Sequence, residues 1–169
     1  MQKNFEVHVR LVEQKDLNTL LVMNNEAVPS VNELTAEDLQ WYFDVANTFF
    51  VGEVDGEIVG FLVGLDGPGL PYESENYAWF SSRYKKFLYV DRVVVDSEIF
   101  SQGLGQRFYK KFIEDSSGYS FLCAEVNLQP RNERSLRFHK KFGFVPVGEQ
   151  DTNEGKKTVQ MLEYNISES

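Results

Sequence analysis

The first part of the chain alternates between strand-like and helix-like patterns of apolar residues. Residues 5–12 alternate apolar residues at 5, 7, 9 and 11 with polar residues at 6, 8 and 10, which is typical of a half-buried strand. Asp16 then stands where it would cap a helix running to about residue 27. Thr35 and Asp38 form a capping-box pattern in front of an apolar stripe with i, i+3, i+4, i+7 spacing. This second pattern predicts a helix to about residue 47.

A hairpin and a long loop are expected next. Residues 49–54 and 57–63 are strand-like, and the Asp55-Gly56 dipeptide between them is the strongest short signal for a two-residue hairpin turn. We therefore expect these two strands to pair antiparallel. Residues 67–84 begin with a cluster of glycines and prolines, contain many aromatic residues and are interpreted as a loop. Long loops in compact domains are usually functional or disordered.

The rest of the chain predicts a succession of strands and helices. Residues 87–95 form a nearly continuous apolar run, as in a buried strand, and residues 104–113 carry an apolar helical stripe. The remaining elements expected are a strand at 121–126, a helix at 132–142 and closing strands at 144–149 and 157–165. This order implies a right-handed parallel crossover beside the antiparallel hairpin. The predicted fold class is α/β (α+β), a single domain at residues 1–169 with a mixed, mostly antiparallel sheet and flanking helices.

Two glycines stand where the buried strand gives way to the following helix. At the start of that helix, next to Gly103 and Gly105, free N–H groups and the helix dipole would form an anion site that needs no side chain. An ordinary tight turn is the alternative interpretation. A dinucleotide fingerprint would need a third glycine where Phe108 stands, and a nucleoside-triphosphate loop would need Gly-Lys-Ser/Thr. The chain matches neither of these two patterns.

Charge is distributed unevenly along the chain. The net charge of -9 over 169 residues argues against a nucleic-acid binder, because such proteins neutralise phosphates with clustered Lys and Arg. Residues 16–82 contain 12 Asp and Glu and no Lys, Arg or His, whereas residues 99–143 contain 8 Lys and Arg against 4 Asp and Glu. Solvated faces that keep the protein soluble are one explanation of this segregation, and binding of charged ligands is the other.

The sequence predicts a cytoplasmic protein that does not bind a membrane. Residues 1–6 lack the apolar segment of a signal peptide, and no apolar run approaches the ~18 residues that a membrane span needs. Cys123 is the only cysteine, so it cannot form an internal disulfide, which fits a reducing compartment. We expect this cysteine to lie in the core.

The motifs from the glycine turn onward resemble those of the GNAT superfamily of N-acetyltransferases in order and spacing. They are the Val-Val-Val strand end at 93–95, the Gly-Leu-Gly turn, Glu-Val-Asn at 125–127, Asn132 and residues 138–144. The resemblance covers about residues 49–147 and is closest to bacterial predicted acetyltransferases of undefined acceptor that share residues 87–92. It implies a central, splayed parallel strand pair and acetyl-CoA as co-substrate, without a metal.

The resemblance places acetyl-CoA on residues 93–106. Backbone groups of Val93 and Val95 would bind the pantetheine arm, and amides of residues 101–106 would bind the pyrophosphate. The implied cofactor-binding residues are Val93, Val94, Val95, Ser101, Gln102, Gly103, Leu104, Gly105, Gln106, Asn127, Asn132 and Phe138. Phe100 stands where the family pattern usually has Gln or Arg. The basic side chains that would flank the phosphates are Arg107, Lys110, Lys111, Arg131, Arg134 and Arg137.

Four residues are candidates for the chemistry. Acetyl transfer to an amine needs an unprotonated nitrogen and a proton for the leaving thiolate. His139 lies on the predicted inward face of its helix, where many GNAT enzymes carry a tyrosine as general acid, and is the candidate donor. A packed core histidine is the alternative. Glu125 and Asp91 interrupt apolar strands and are candidate bases, although Asp91 could pair with Arg92 and Glu125 could face solvent. Tyr89 occupies the position where some relatives carry a strand glutamate, and it or a water relay could substitute.

The acidic half of the chain would form the acceptor side. Acid and aromatic rings together suit a cationic primary amine of a small molecule or peptide, attacking directly in a ternary complex. The rings are Trp41, Tyr72, Tyr77, Trp79, Phe80 and Tyr84, for which packing onto the core is the alternative. Two other functions stay open, a non-catalytic acyl-CoA-binding module and an acidic protein-interaction domain. Because GNAT relatives are often dimers, a homodimer is also expected.

Overall fold

The computed structural model describes residues 6–97, 99 and 103–168, which form seven strands and five α-helices. In chain order they are β1 (His8–Leu11), α1 (Leu17–Glu26), α2 (Ala36–Val45), β2 (Thr48–Val54), β3 (Glu57–Gly67), α3 (Glu75–Ser81), β4 (Phe87–Val95), α4 (Leu104–Glu114), β5 (Phe121–Gln129), α5 (Glu133–Phe142), β6 (Val145–Thr152) and β7 (Lys157–Asn165). The strand order is β1-β2-β3-β4-β5-β7-β6. The β4–β5 pair is parallel, and the β1–β2, β2–β3, β5–β7 and β6–β7 pairs are antiparallel. The predicted mixed, mostly antiparallel sheet is confirmed.

The chain forms two compact units. The first comprises Met1–Leu65 and Asp91–Asp115, and the second comprises Asp66–Val90 and Ser116–Ser169, each within the described residues. Strands β3 and β4 each run from one unit into the other. Among the helices of the described residues, none is both long and apolar enough to cross a lipid bilayer.

Local sequence signals set the hairpin and the second helix of the first unit. Asp55 and Gly56 have φ of 51° and 80°, the conformation that a two-residue turn between twisted strands requires. At the start of α2, the Thr35 hydroxyl accepts the Asp38 N–H at 3.1 Å, and the Asp38 carboxylate accepts the Thr35 N–H at 2.9 Å. Both the hairpin and the capping box were predicted, and both are confirmed.

Asp16 has a different role from the predicted one. Helix α1 does begin after it, but its side chain does not cap the helix. The carboxylate accepts hydrogen bonds from two Arg10 nitrogens at 2.8 and 3.0 Å and from the Glu13 N–H at 2.7 Å. The guanidinium of Arg10 lowers the pKa of Asp16, since it favours the charged form. The ion pair with Arg10, six residues earlier, replaces the helix cap because it can satisfy both carboxylate oxygens at once.

Three glycines let α4 approach the sheet of the first unit. A Cβ atom at Gly64 would lie 1.9 Å from the Phe112 ring, and one at Gly60 would lie 2.8 Å from both Leu104 and the Val94 carbonyl. A Cβ atom at Gly52 would also lie 2.8 Å from Leu104. Leu104 and Phe112 are almost completely buried. The close approach fixes the start of α4 beside the end of β4, where the anion site is predicted.

A short helix interrupts the predicted loop at residues 67–84. Ser74 caps α3 by accepting the Tyr77 N–H at 3.2 Å, and the Tyr77 hydroxyl donates to the Asp66 carbonyl at 2.7 Å. Phe80 is fully buried. Seven residues rich in aromatic side chains have little intrinsic preference for a helix, so the burial of Tyr77 and Phe80 stabilises it. The loop prediction was therefore wrong for α3.

Candidate functional site

The end of β4 leads towards the start of α4, as predicted for the cofactor segment. Val94 is buried, whereas Val93 and Val95 are half-buried, so the strand alternates between its two faces. The Asp96 N–H donates to the Val59 carbonyl at 2.8 Å and ties the strand end to β3. Ser101 and Gln102 lie outside the described residues.

The N-terminus of α4 fits an anionic group. Gly103 is its N-cap residue, has φ of 79°, and leaves open space where a Cβ atom would stand. Helices α2, α3 and α5 place the side chains of Thr35, Ser74 and Asn132 on their first amides, whereas a glycine has no side chain to place there. The first turn of α4 also contains no acidic residue. Amides that follow a glycine N-cap, in a first turn without an acidic residue, match the chemistry of a phosphate ligand.

The next three residues in the first turn of α4 differ in their exposure to solvent. Leu104 is fully buried and anchors the helix, Gly105 is half-buried and Gln106 is exposed. Among the basic side chains, Arg107 donates to the Val7 carbonyl, and Arg131 pairs with Glu133 at 2.5 Å. These two cations already have protein partners. Lys110 and Arg137 are exposed.

Glu125 lies at the centre of a hydrogen-bond network in the second unit. The Tyr89 hydroxyl donates towards both oxygens of the carboxylate, at 2.7 and 2.8 Å. The Asn76 amide donates to the same carboxylate at 3.2 Å. Glu125 is half-buried, while Tyr89 is almost completely buried. Two of the four predicted catalytic residues are therefore in direct contact.

The sequence prediction missed two members of this network. Asn76 lies on α3 and contacts Glu125 across 49 positions of the chain, and Gln150 on β6 donates to Asn76 at 3.0 Å across 74 positions. Asparagine and glutamine are common surface residues, and no local motif links positions so far apart. The available signal was a polar residue at the second position of the aromatic α3 segment.

Asp91 is part of a buried ion pair in the first unit. Its carboxylate accepts from the Arg92 guanidinium at 2.8 Å, and both side chains are only 3% exposed. Arg92 also donates to the side chains of Asn24 and Asn32 at 2.8 Å and of Tyr42 at 3.1 Å. The pairing with Arg92, which the sequence left as an alternative, is the one that forms.

His139 is a neutral, packed histidine. Its side chain is buried, and the Phe138 and Phe144 rings lie edge-on at centroid distances of 5.2 and 5.0 Å. Nδ1 donates to the Ser135 carbonyl at 2.7 Å, because a carbonyl can only accept. Burial lowers the pKa of His139 to about 4. At neutral pH, Nε2 is therefore the acceptor end of the ring.

The remaining cofactor candidates shape the turn between β5 and α5. Asn132 caps α5 by accepting the Ser135 N–H at 3.2 Å, and its own N–H donates to the Asn127 carbonyl at 3.0 Å. Phe138 is half-buried and packs against Phe142. Glu133, Arg137 and Lys141, also on α5, are exposed.

Two of the six rings of the predicted acceptor side are buried within the protein. Tyr77 and Phe80 are buried, and the Tyr84 hydroxyl donates to Glu163 at 2.6 Å. Trp79 is half-buried, with the Arg83 guanidinium 3.6 Å from its ring centre. Trp41 is half-buried too. Core packing thus accounts for Tyr77 and Phe80.

Cys123 lies in the core, as expected. Its side chain is fully buried, and burial raises the pKa of the thiol. In the part of the chain that the structure describes, no three His, Cys, Asp or Glu side chains are grouped as metal ligands.

Comparison with protein families gives one match over most of the chain. Residues 17–144 match the model of the acetyltransferase (GNAT) family. No curated protein matches the sequence.

Solved structures with the same fold cover nearly the whole chain. An N-acetyltransferase from Staphylococcus aureus Mu50 superposes with a TM-score of 0.71 and 19% identity, over 95% of this chain and 99% of that one. Arabidopsis thaliana NAA60, solved with a bisubstrate analogue, gives 0.75 and 18%, over 95% and 98%. The yncA protein of Salmonella typhimurium, solved with its cofactor acetyl-CoA, gives 0.71 and 16%, over 95% and 94%. At these identities the structures establish a common fold.

Proposed function

This chain belongs to the acetyltransferase (GNAT) family, and we propose that it transfers an acetyl group from acetyl-CoA to a primary amine of a small molecule or peptide. It is an acyltransferase by family. A single acetyltransferase domain at residues 1–169 is part of the proposal. The solved relatives support that part, because this chain spans 94% or more of each of their lengths.

Acetyl-CoA supplies the acetyl thioester, and residues 93–106 would hold it. The observation that supports this placement is the start of α4, where the N-cap residue is Gly103 and the first turn contains no acidic residue. Val93 and Val95 would offer backbone groups to the pantetheine arm. The other residues proposed to bind the cofactor are Asn127, Asn132 and Phe138. Asn132 holds the β5–α5 turn in place through its hydrogen bonds with Ser135 and Asn127.

Glu125 is the proposed base, and the hydrogen-bond network around it is the observation that carries the catalytic part of the proposal. An alkylamine with a pKa near 10.4 is unprotonated only about once in 2,500 molecules at pH 7. Glu125 would accept the proton that the nitrogen loses as it bonds to the acetyl carbon and the carbon–sulfur bond breaks. Tyr89 would hold this carboxylate in place, because its hydroxyl already donates to both oxygens. Asp91 is not proposed as a base, since Arg92 occupies it.

His139 is the proposed group beside the leaving thiolate. In the resting ring the proton is on Nδ1, which donates to the Ser135 carbonyl. To protonate the thiolate, His139 would first have to accept a second proton on Nε2. The pKa of about 4 makes the protonated ring rare at neutral pH, and it therefore makes that ring a strong acid once formed. Such a ring gives up its proton readily.

A cationic amine is the proposed acceptor. Residues 16–82 carry acidic side chains without any Lys, Arg or His, so they attract positively charged ligands over several ångströms. Trp41 is half-buried, and its ring is the aromatic group proposed to contact such a ligand.

The proposed reaction is tested by thiol release from acetyl-CoA with an amine panel of 1,4-diaminobutane, a peptide with a free amino terminus, and L-glutamate. We expect release with the first two that is lowered about 100-fold or more by Glu125→Gln, because a general base contributes 10²–10⁴ in rate. A thiol reagent reports coenzyme A alone, since Cys123 is buried.

The same protein samples separate the two rival functions. Binding of coenzyme A without thiol release would indicate a non-catalytic acyl-CoA module. The absence of any thermal shift on adding coenzyme A would indicate an interaction domain in which the glycine turn is structural.

A further inference from the structure

We propose that Asn76 is a positioning residue that holds the Glu125 carboxylate in place for proton transfer, and that Gln150 reinforces the orientation of the Asn76 amide. This inference rests on the proposed function of Glu125. The geometry that carries it is a chain of hydrogen bonds from Gln150 to Asn76, at 3.0 Å, and from Asn76 to Glu125, at 3.2 Å.

The network leaves the Asn76 amide one orientation. Its oxygen accepts from the Gln150 amide nitrogen, so its own nitrogen is turned towards Glu125. A carboxylate accepts only, and the nitrogen is the end of the amide that can donate to it. Reversing the amide would place two oxygens together at Glu125 and two nitrogens together at Gln150. Glu125 therefore selects the orientation of the Asn76 amide, and Gln150, as oriented in this structure, reinforces it by donating to the Asn76 oxygen.

The packing of α3 against β6 explains why these side chains meet. A Cβ atom at Gly148 would lie 2.5 Å from the Trp79 indole, so the missing side chain lets α3 lie against the strand. Asn76 and Trp79 are three residues apart and share a face of the helix, while Gly148 and Gln150 are two apart and share a face of the strand. The packing of Trp79 against Gly148 therefore also brings Asn76 next to Gln150.

Glu125 is held from two directions. Tyr89, on β4, contacts it from a strand whose parallel pairing with β5 joins Tyr89 to Cys123, two residues before Glu125. Asn76 contacts it from α3, where Tyr77 and Phe80 are buried and Ser74 caps the helix. Groups on well-packed elements hold a reacting group more closely than groups on loops do. Removing the Asn76 side chain would take away one of the hydrogen-bond donors to the Glu125 carboxylate, while the bond from Tyr89 would remain.

The test is a double-mutant cycle measured with acetyl-CoA and the fastest amine of the panel. Asn76→Leu should lower kcat about tenfold, the scale of one hydrogen bond to a charged group, with the KM for acetyl-CoA unchanged. Gln150→Leu should lower kcat about threefold and have no added effect when Asn76 is already replaced. In the Glu125→Gln background, Asn76→Leu should change kcat less than about twofold, because the group that it positions is gone.

Two controls separate positioning from structure. Ala78→Leu introduces the same side chain on an exposed position of α3 and should leave kcat unchanged. Asn76→Asp has nearly the native volume but places a second carboxylate beside Glu125, so it should lower kcat at least as much as Asn76→Leu. Thermal unfolding checks that each variant is folded.

The outcomes are distinct. If Asn76→Leu lowers kcat equally with and without Glu125, its role is structural and the inference is overturned. If the wild type acetylates amines and both Asn76 variants stay within about twofold of it, the inference fails while the proposed function stands. If the wild type transfers acetyl to no amine, the proposed function fails and this inference fails with it.

Discussion

At the scale of single residues, the charge states of the buried side chains Arg92 and His139 follow from the groups around them. Arg92 is paired with Asp91 and binds three further side chains, so its charge is neutralised and its donors are used within the first unit. Removing one partner of such a pair leaves an uncompensated charge and typically costs 3–5 kcal/mol. His139 differs from Arg92 in that its buried ring is neutral, because burial lowers its pKa. At these two sites, the charged side chain is buried against an opposite charge and the histidine ring is buried in its neutral form.

The neutral state of His139 predicts a loss of stability on acidification. The folded-state pKa of about 4 lies below the ordinary value of 6.5, so the unfolded chain binds more protons between these pH values. The contribution of His139 is intact above pH 6.5 and is lost as the pH falls towards 4, by about 3 kcal/mol in total. His139→Phe should lose correspondingly less stability between pH 7 and pH 4 in urea unfolding. The same variant should lower turnover and keep acetyl-CoA affinity within about threefold.

His8→Phe is the matched control, because the His8 ring is exposed. It should follow the wild-type pH dependence. Equal acid sensitivity of His139→Phe and the wild type would contradict the assignment of a depressed pKa to His139. Unchanged turnover would remove His139 from the proposed chemistry.

At the scale of elements, α4 combines a buried stripe with an N-cap residue, Gly103, that has no side chain. Leu104, Phe108 and Phe112 are almost completely buried, and the glycines of β2 and β3 allow the close packing. The stripe fixes the position of the helix, which in turn fixes the amides at its start. A helix held this rigidly can present its N-terminus to an anion without rearranging.

Gly103→Ala should damage both stability and cofactor binding. An L-residue at φ of 79° is strained, so the free energy of unfolding should fall by about 1 kcal/mol. The altered amides should weaken acetyl-CoA binding about fivefold or more in calorimetry. Gly56→Ala is the control, since Gly56 has φ of 80° and equally open surroundings, in the hairpin. An equal loss of affinity in both variants would show that general destabilisation, and not the α4 start, is responsible.

At the scale of the whole chain, charge segregation sets the expected ligands. The acidic residues concentrate in 16–82 and the basic ones in 99–143. Several basic side chains of the second set already pair within the protein, as Arg107 and Arg131 do. The acidic segment therefore provides the clearer prediction, namely attraction of a cationic acceptor.

Salt should weaken the cationic acceptor selectively. Raising the ionic strength from 0.1 M to 1 M shortens the screening length from about 10 Å to about 3 Å. The KM for 1,4-diaminobutane should therefore rise, while that for aniline, which is uncharged at pH 7, should change little. Steady-state kinetics at both salt concentrations check this. A panel preference for L-glutamate, or a salt effect equal for both amines, would contradict the prediction.

The fold was predictable wherever a local pattern decided the structure. Strand β4 was predicted with its observed bounds, and the Asp55-Gly56 hairpin and the Thr35 capping box formed as their motifs indicate. Helix α3 was not predictable, because its stability comes from burying Tyr77 and Phe80 and not from helix propensity. Asp16 was assigned to a cap because its competing partner, Arg10, could not be anticipated from spacing alone.

By itself, the sequence determined the order of the strands and of the helices other than α3, the inward face of α5 and the position of the glycine turn, since periodicity and glycine act within a few residues. Tertiary structure decided which polar groups meet. It buried Arg92 against Asn24 and Tyr42, left His139 neutral, and joined Glu125 to Tyr89 and Asn76. Hydrogen bonds and ion pairs act over about 3 Å, so their partners depend on how distant segments pack, which no local pattern records.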